Sequence, residues 1–262
     1  MKLATPFIPA LRAVLAILGM AILVGCALLP DEIDETKDWS ANKLYSEAKA
    51  ALNDGEYEKA IKYYEKLEAR HPFGRFAQQA ELEIAYAYYK SDEPASAIAN
   101  LDRFIKAYPR HPNLDYAYYL RGLANFNQGM NIIERYVPTD RSQRDPGNAR
   151  QAFQDFGEVI RRYPQSVYAE DSRLRMVYLR NNLARYEVNV ARYYLRQQAW
   201  MAVVNRCKYV VEHYNQTDGI PEALSLMAQA YQAMGMTDLA GDAQRVLKQS
   251  YPDHPLAVGQ SR

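Results

Sequence analysis

The chain has 262 residues, with 32 Lys and Arg against 31 Asp and Glu, so no overall basic excess recommends nucleic acid or an anionic surface as a partner. Two cysteines, Cys26 and Cys207, exclude a disulfide framework, and 22 tyrosines stand out.

Residues 1–25 differ from everything after them. Lys2 and Arg12 are their only charges, and an apolar run from Ala13 to Gly25 leads to Cys26, which is the pattern of a signal peptide. The run is shorter than the roughly 20 residues a spanning helix needs. Leu23-Val24-Gly25-Cys26 resembles a bacterial lipobox, which implies a diacylglyceryl group on the Cys26 thiol and a membrane anchor there. Ala27, standing where an Asp would favour retention, points by the same resemblance to the outer membrane. With Cys26 acylated, Cys207 among Val203, Val204 and Val210 is expected to be a small core residue. Residues 26–37, with Pro30 and the acids Asp31, Glu32, Asp34 and Glu35, read as a flexible tether.

From Trp39 onward the apolar periodicity is helical, and a repeat emerges. Turn signals recur at Asn53-Asp54-Gly55, Ser91-Asp92-Glu93-Pro94 and Gly235-Met236-Thr237-Asp238. Helix stops recur at His71-Pro72, Tyr108-Pro109, Tyr163-Pro164, Tyr251-Pro252 and, without proline, Tyr214-Asn215. The separation from Pro72 to Pro109, and from Asn215 to Pro252, is 37 residues, close to the tetratricopeptide (TPR) period. Small residues fall at Ala48, Ala85, Gly122, Ala191 and Ala228 in the first helices and at Ala60, Ala97, Ala152, Val203 and Ala240 in the second. Tyr64, Leu101, Phe156 and Cys207 come four positions later as fillers, and Gln244 in the last unit marks a polar cap.

The predicted fold is therefore all-α, a TPR solenoid of about five helix-turn-helix repeats. Residues 38–128 hold the N-terminal units, 129–148 an insertion in repeat 3, 149–256 the C-terminal units and 257–262 a disordered tail. Repeat 4 opens with an elongated helix, predicted from about Val167 to Arg196. In the insertion, Asp140, Arg141, Arg144 and Asp145 form a charge-alternating loop, with Asp145 as N-cap and Pro146 as the first residue of the next helix.

TPR geometry places first-helix positions on a concave face. In the first three units these are Asn42, Tyr45, Lys49, then Leu82, Tyr86, Tyr89, then Tyr116, Tyr119, Leu123 and Phe126, an aromatic groove suited to an extended peptide. In the last two they are Arg185, Val188, Arg192, Arg196, then Glu222, Ser225, Gln229 and Gln232, a partly basic surface suited to an acidic folded partner. Tyr57, Tyr64, Tyr88, Tyr194 and Tyr231 are assigned to packing. His71, His111 and His254 precede prolines in turns and His213 ends a helix, so no metal-ligand spacing exists, and no nucleophile elbow or phosphate loop appears. Neither a cofactor nor catalysis is expected.

His71-Pro72-Phe73-Gly74, Ala85 to Lys90, Asp102-Arg103-Phe104-Ile105, His111-Pro112-Asn113, Arg121-Gly122-Leu123, the 140–146 loop and Trp200 to Arg206 together resemble the BamD family, TPR lipoproteins of the β-barrel assembly machine. The resemblance spans essentially the whole chain after Cys26. It implies residence on the periplasmic face of the outer membrane, a BamA-type insertase and other Bam lipoproteins as partners, and recognition of unfolded outer-membrane proteins. It also implies substrate strands at the N-terminal units and insertase docking at the C-terminal ones. Arg196-Gln197-Gln198 departs from the basic residue beside a Gly expected at that docking turn. A competing reading is a peptidoglycan-binding lipoprotein whose rings stack on sugars.

Overall fold

Every expected stop is the end of a helix. The computed structural model describes residues 34–128, Ser142 and 145–258, and the chain divides into a unit of residues 1–40 and a unit of residues 41–262. Cys26, the signal segment, Asp140, Arg141 and Arg144 lie outside the described residues. In the first unit, Asp34 folds the backbone into a turn, accepting at Oδ1 from the Thr36 amide at 3.1 Å and hydroxyl at 2.7 Å. The expected tether therefore gives way to local structure at its C-terminal end.

The second unit is built from α1 (Ala41–Asn53), α2 (Tyr57–Arg70), α3 (Arg75–Lys90), α4 (Pro94–Ala107), α5 (Leu114–Asn127), α6 (Gly147–Arg162), α7 (Ala169–Arg196), α8 (Trp200–His213), α9 (Ile220–Ala233), α10 (Thr237–Ser250) and the short α11 (Pro255–Val258). Each helix packs on its chain neighbours, and first helices of adjacent pairs also meet, α1 with α3, α3 with α5 and α7 with α9. The result is TPR-like. Among the described residues no strand occurs, and no helix is long and apolar enough to cross a membrane.

Two turn types alternate. Within pairs, Gly55, Asp92, Gln198 and Gly235 adopt positive φ (80°, 69°, 57° and 74°), each two residues before the next helix. The amide after each of them reaches back five residues, as Glu56 to Ala51, Glu93 to Tyr88, Ala199 to Tyr194 and Met236 to Tyr231. This is a Schellman closure, which satisfies carbonyls left open at the helix end. Between pairs, His71, Tyr108, Tyr163, Tyr214 and Tyr251 share φ near −130° and ψ near 60°. Four precede proline, which bars the helical region at the residue before it. Tyr214 adopts the same backbone without proline, and Gln216 turns the chain instead at φ 57°. His111 and His254 accept at Nδ1 from the amide two residues on, at 3.1 and 3.2 Å.

The fillers behave as the spacing predicts. Tyr64, Leu101, Phe156 and Cys207 are fully buried; burial of a large apolar side chain contributes about 1.5–3 kcal/mol. Phe156 explains Gly122, where a Cβ would sit 2.7 Å from the ring. Burial pushes the Cys207 thiol up to about 12, so it stays protonated and inert.

Polar ties lock the middle pairs. Buried Asp155 accepts from Arg121 (3.0 and 2.6 Å), Asn125 (2.9 Å) and Gln151 (3.1 Å), while Arg121 also pairs with Asp102. Glu187, 1% exposed, lies between Arg150 (3.0 Å) and Arg206 (2.9 Å), tying α6, α7 and α8 together. These pairs fix register because a lone buried carboxylate is costly.

Three boundaries move. The long helix starts at Ala169 rather than Val167, because Ser166, Val167 and Tyr168 complete the turn after Tyr163. Pro146 becomes the N-cap and Gly147 the first helical residue, although the Asp145 side chain still accepts from the Gly147 amide at 2.9 Å. Residues 257 and 258, expected in the tail, close α11, which buries Ala257 against α9 and α10.

Candidate functional site

The first helices of pairs 1, 2 and 3 floor a groove of about 780 Å³. Lys49 comes from α1, Gln79, Glu83, Tyr86 and Lys90 from α3, and Asp115 and Tyr116 from α5, while Tyr57, Val167 and Tyr168 form its walls. Side chains reach it from one face of each helix because i, i+4 and i+7 share a face, as Gln79, Glu83 and Tyr86 do.

Of the ten residues expected there, Lys49, Tyr86 and Tyr116 line this groove. Asn42 lies away from it, at the far end of α1. Tyr45 packs instead between Tyr64 and Phe76, with ring centroids 5.7 and 5.3 Å away. The Tyr89 hydroxyl accepts from Asn127 at 2.9 Å. Tyr119 stacks on Tyr168 at 4.7 Å and donates to Asp171 at 2.8 Å, so it supports the wall from behind. Phe126 faces a second hollow of about 230 Å³ with Tyr178, Leu183, Tyr186, Asn182 and Asp145. Leu82 and Val188, placed on the concave face by pattern, are core residues, and Leu123 packs between two core clusters. The common reason is that a helix in this stack contacts neighbours on both sides, which leaves a narrower free face than the heptad-like pattern suggests.

Three groove residues escape the sequence pattern. Tyr57 has the spacing of a packing residue, and Tyr168 sits in an inter-pair turn where no helical period applies. Glu83 lies one turn from Tyr86 and carries a usable signal, its spacing from Gln79 and Tyr86, but a charge among aromatics reads as solvated surface.

Electrostatically the groove is balanced. Glu83 accepts from Lys49 at 2.8 Å and from Gln79 at 3.2 Å, so the Lys49 charge is matched at the floor. Burial, then Glu83, pushes the Tyr116 hydroxyl up, and burial, then Asp115, does so for Tyr168. Tyr119 is pushed up to about 12 by burial and by its bond to Asp171. All three are neutral phenols at physiological pH, able to donate and accept.

The expected basic surface of the last two pairs is largely closed. Arg185 pairs with Asp218, and Arg192 forks onto both oxygens of Glu222, bracing α7 against the start of α9. Arg196 stays exposed beside a third hollow with Tyr186, Asn189 and Tyr193. Nearby, Asn189 donates to the Ser142 hydroxyl at 2.8 Å and carbonyl at 3.2 Å, which pins one point of the insertion on α7. Gln198, in the turn where a Gly beside a basic residue was expected, holds the left-handed conformation that a Gly would adopt freely.

A family model described as YfiO, an outer membrane lipoprotein, matches residues 37–247. The chain is 43% identical over 242 residues, 91% of its length and 90% of the relative's, to the outer membrane protein assembly factor BamD of Neisseria meningitidis serogroup A. It is 39% identical to the same factor from Vibrio cholerae, over 85% of this chain and 91% of that one. A solved tetratricopeptide repeat protein of Parabacteroides merdae superposes with a TM-score of 0.41 at 14% identity, over 86% of this chain and 84% of that one.

Proposed function

This chain belongs to the BamD family of outer membrane protein assembly factors, and from that premise we propose that it is a non-enzymatic scaffold that receives unfolded outer-membrane proteins in the groove over α1, α3 and α5. The observation that carries the reading is the groove itself, lined by Tyr57, Tyr86, Tyr116 and Tyr168 with no net charge required of its ligand. Aromatic rings give large contact area at low entropy cost, and neutral hydroxyls can pair with the unsatisfied amides of an extended strand. The C-terminal pairs take a BamA-type insertase, with the exposed Arg196 rather than Arg185 or Arg192 as the cation that meets it, and other Bam lipoproteins complete the complex.

A diacylglyceryl group on Cys26 holds the molecule on the periplasmic face of the outer membrane. Tethering raises the effective concentration of a weakly held strand beside the insertase. Neither a nucleic acid nor a cofactor enters this account.

The test is titration of the full chain with a peptide copying the last strand of an outer-membrane protein. Replacing Tyr86→Ala and Tyr116→Ala together should weaken binding by roughly tenfold or more. Unchanged affinity, with the fold intact by circular dichroism, would sink the reading.

A further inference from the structure

The near-zero net charge conceals a division between the two edges of the first two helix pairs. The turns within these pairs, with the helix ends that flank them, carry Asp54, Glu56, Glu58, Asp92 and Glu93 against Lys59, which pairs with Glu56, and Lys90, so acids outnumber bases there. The turns after the pairs carry Arg70, Arg75, Lys106 and Arg110, with no acidic residue from 69 to 80 or from 103 to 114. Arg75, Lys106 and Arg110 are exposed, and Phe73 stands between the arginines of its turn, 92% exposed.

Helix stability accounts for only part of this. Arg70 and Lys106 close α2 and α4, where a cation offsets the helix dipole. Arg75 opens α3, where a cation opposes it, and Arg110 lies in a turn. Gly74 adds a second sign of function: its φ of 109° with ψ of 179° is open to glycine alone, and nothing lies within 4 Å of where its Cβ would be. The conformation thus serves the path of the backbone beside Phe73 rather than close packing.

Topology says what this edge faces. Since α1 and α2 form a hairpin, Ala41 at the start of α1 lies at the same edge as the turn 71–74. The chain runs back from there to Cys26, a stretch that spans at most about 50 Å when extended. We propose that the edge bearing Phe73, Arg75, Lys106 and Arg110 rests on an anionic phospholipid surface, with Phe73 inserted at headgroup depth. This rests on the Cys26 anchor proposed above and adds an orientation to it: the edge contact holds the acidic turns away from the bilayer. Each basic residue near an anionic surface adds a modest, salt-sensitive attraction, and one aromatic ring supplies an apolar foothold.

The experiment uses the full acylated chain with Phe73→Cys or, on the opposite edge, Glu56→Cys, labelled with a nitrobenzoxadiazole dye; Cys207 is buried and stays unlabelled. On vesicles containing phosphatidylglycerol, the dye at position 73 should brighten severalfold, and the gain should shrink in high salt and with Arg75→Glu plus Arg110→Glu. At position 56 it should stay dim. A dim signal at 73, equal signals at both positions, or brightening at 73 only when a protein partner is added would each overturn the proposal. Flotation with pure phosphatidylcholine vesicles, compared with Cys26→Ser, reads the anchor separately, so an anchored chain that is dim at 73 refutes the edge contact alone.

Discussion

In the first three helix pairs, inward-facing Tyr57, Tyr86 and Tyr116 border an open groove of about 780 Å³, whereas in the last two pairs the matching face carries Arg185 and Arg192, already engaged by Asp218 and Glu222. One scaffold therefore serves two ends. At the N-terminal end, phenol rings around an open groove leave room for a ligand; at the C-terminal end, first-helix positions brace the stack and leave Arg196 as an exposed cation of that face. A repeat architecture fixes where side chains point, and the partner thirty residues away decides whether they are available.

The largest effect on this comparison should come from removing its hinge. Arg121→Ala would strand the buried Asp155 carboxylate inside pair 3 and release Asp102 of pair 2, and should cost about 3–5 kcal/mol in urea unfolding, so the groove floor would loosen while α7 to α10 keep their own pairs. Next come the groove walls: Tyr168→Ala should weaken peptide binding severalfold, while Tyr45→Ala, which removes ring contacts with Tyr64 and Phe76 in the packing behind the groove, should lower stability and leave affinity unchanged once the fold is intact.

A smaller effect concerns pH, in the N-terminal pairs. Burial, reinforced by neighbouring Glu81, pushes the Glu68 carboxyl up to about 7, and its Oε1 has no hydrogen-bond partner. Arg103 serves Glu81 at 2.6 Å and Glu68 only at 4.0 Å. Because the folded state holds this proton more tightly than the unfolded chain, stability should fall as pH rises from about 4.5 to about 7 and then level off. Glu68→Gln should flatten that slope, raising the urea midpoint near pH ~8 and leaving it unchanged near pH ~4. The smallest effect is at the other end: Gln198→Gly relieves a left-handed glutamine and should add about 1 kcal/mol to stability without altering peptide binding.

How much of this was legible in the sequence depends on the range of the interaction. Prolines after His71, Tyr108, Tyr163 and Tyr251, and the small residues that let helices approach, are local or periodic, so the helix pairs and the long α7 could be read from them. Gly122 and Phe156 are both marked by spacing, although their meeting within one pair was not. The groove was legible only in part. Its tyrosines on α3 and α5 obey the helical period, but Tyr168 reaches it from a turn, and Glu83 meets Lys49 from 34 residues away. The engagement of Arg192 by Glu222, 30 residues on, was equally invisible, since no local pattern announces a partner in the next repeat. Net charge misleads in the same way, by averaging turns where acids outnumber bases with turns that hold no acid.

Site-specific photocrosslinking most directly tests the claim that substrate strands lie over α1, α3 and α5. With a benzophenone amino acid placed in turn at Tyr86, Tyr116, Tyr45 and Arg185, an unfolded outer-membrane protein should be captured at the first two positions and not at the last two. Capture at Arg185 or Tyr45 with none at Tyr86 and Tyr116 would contradict the account.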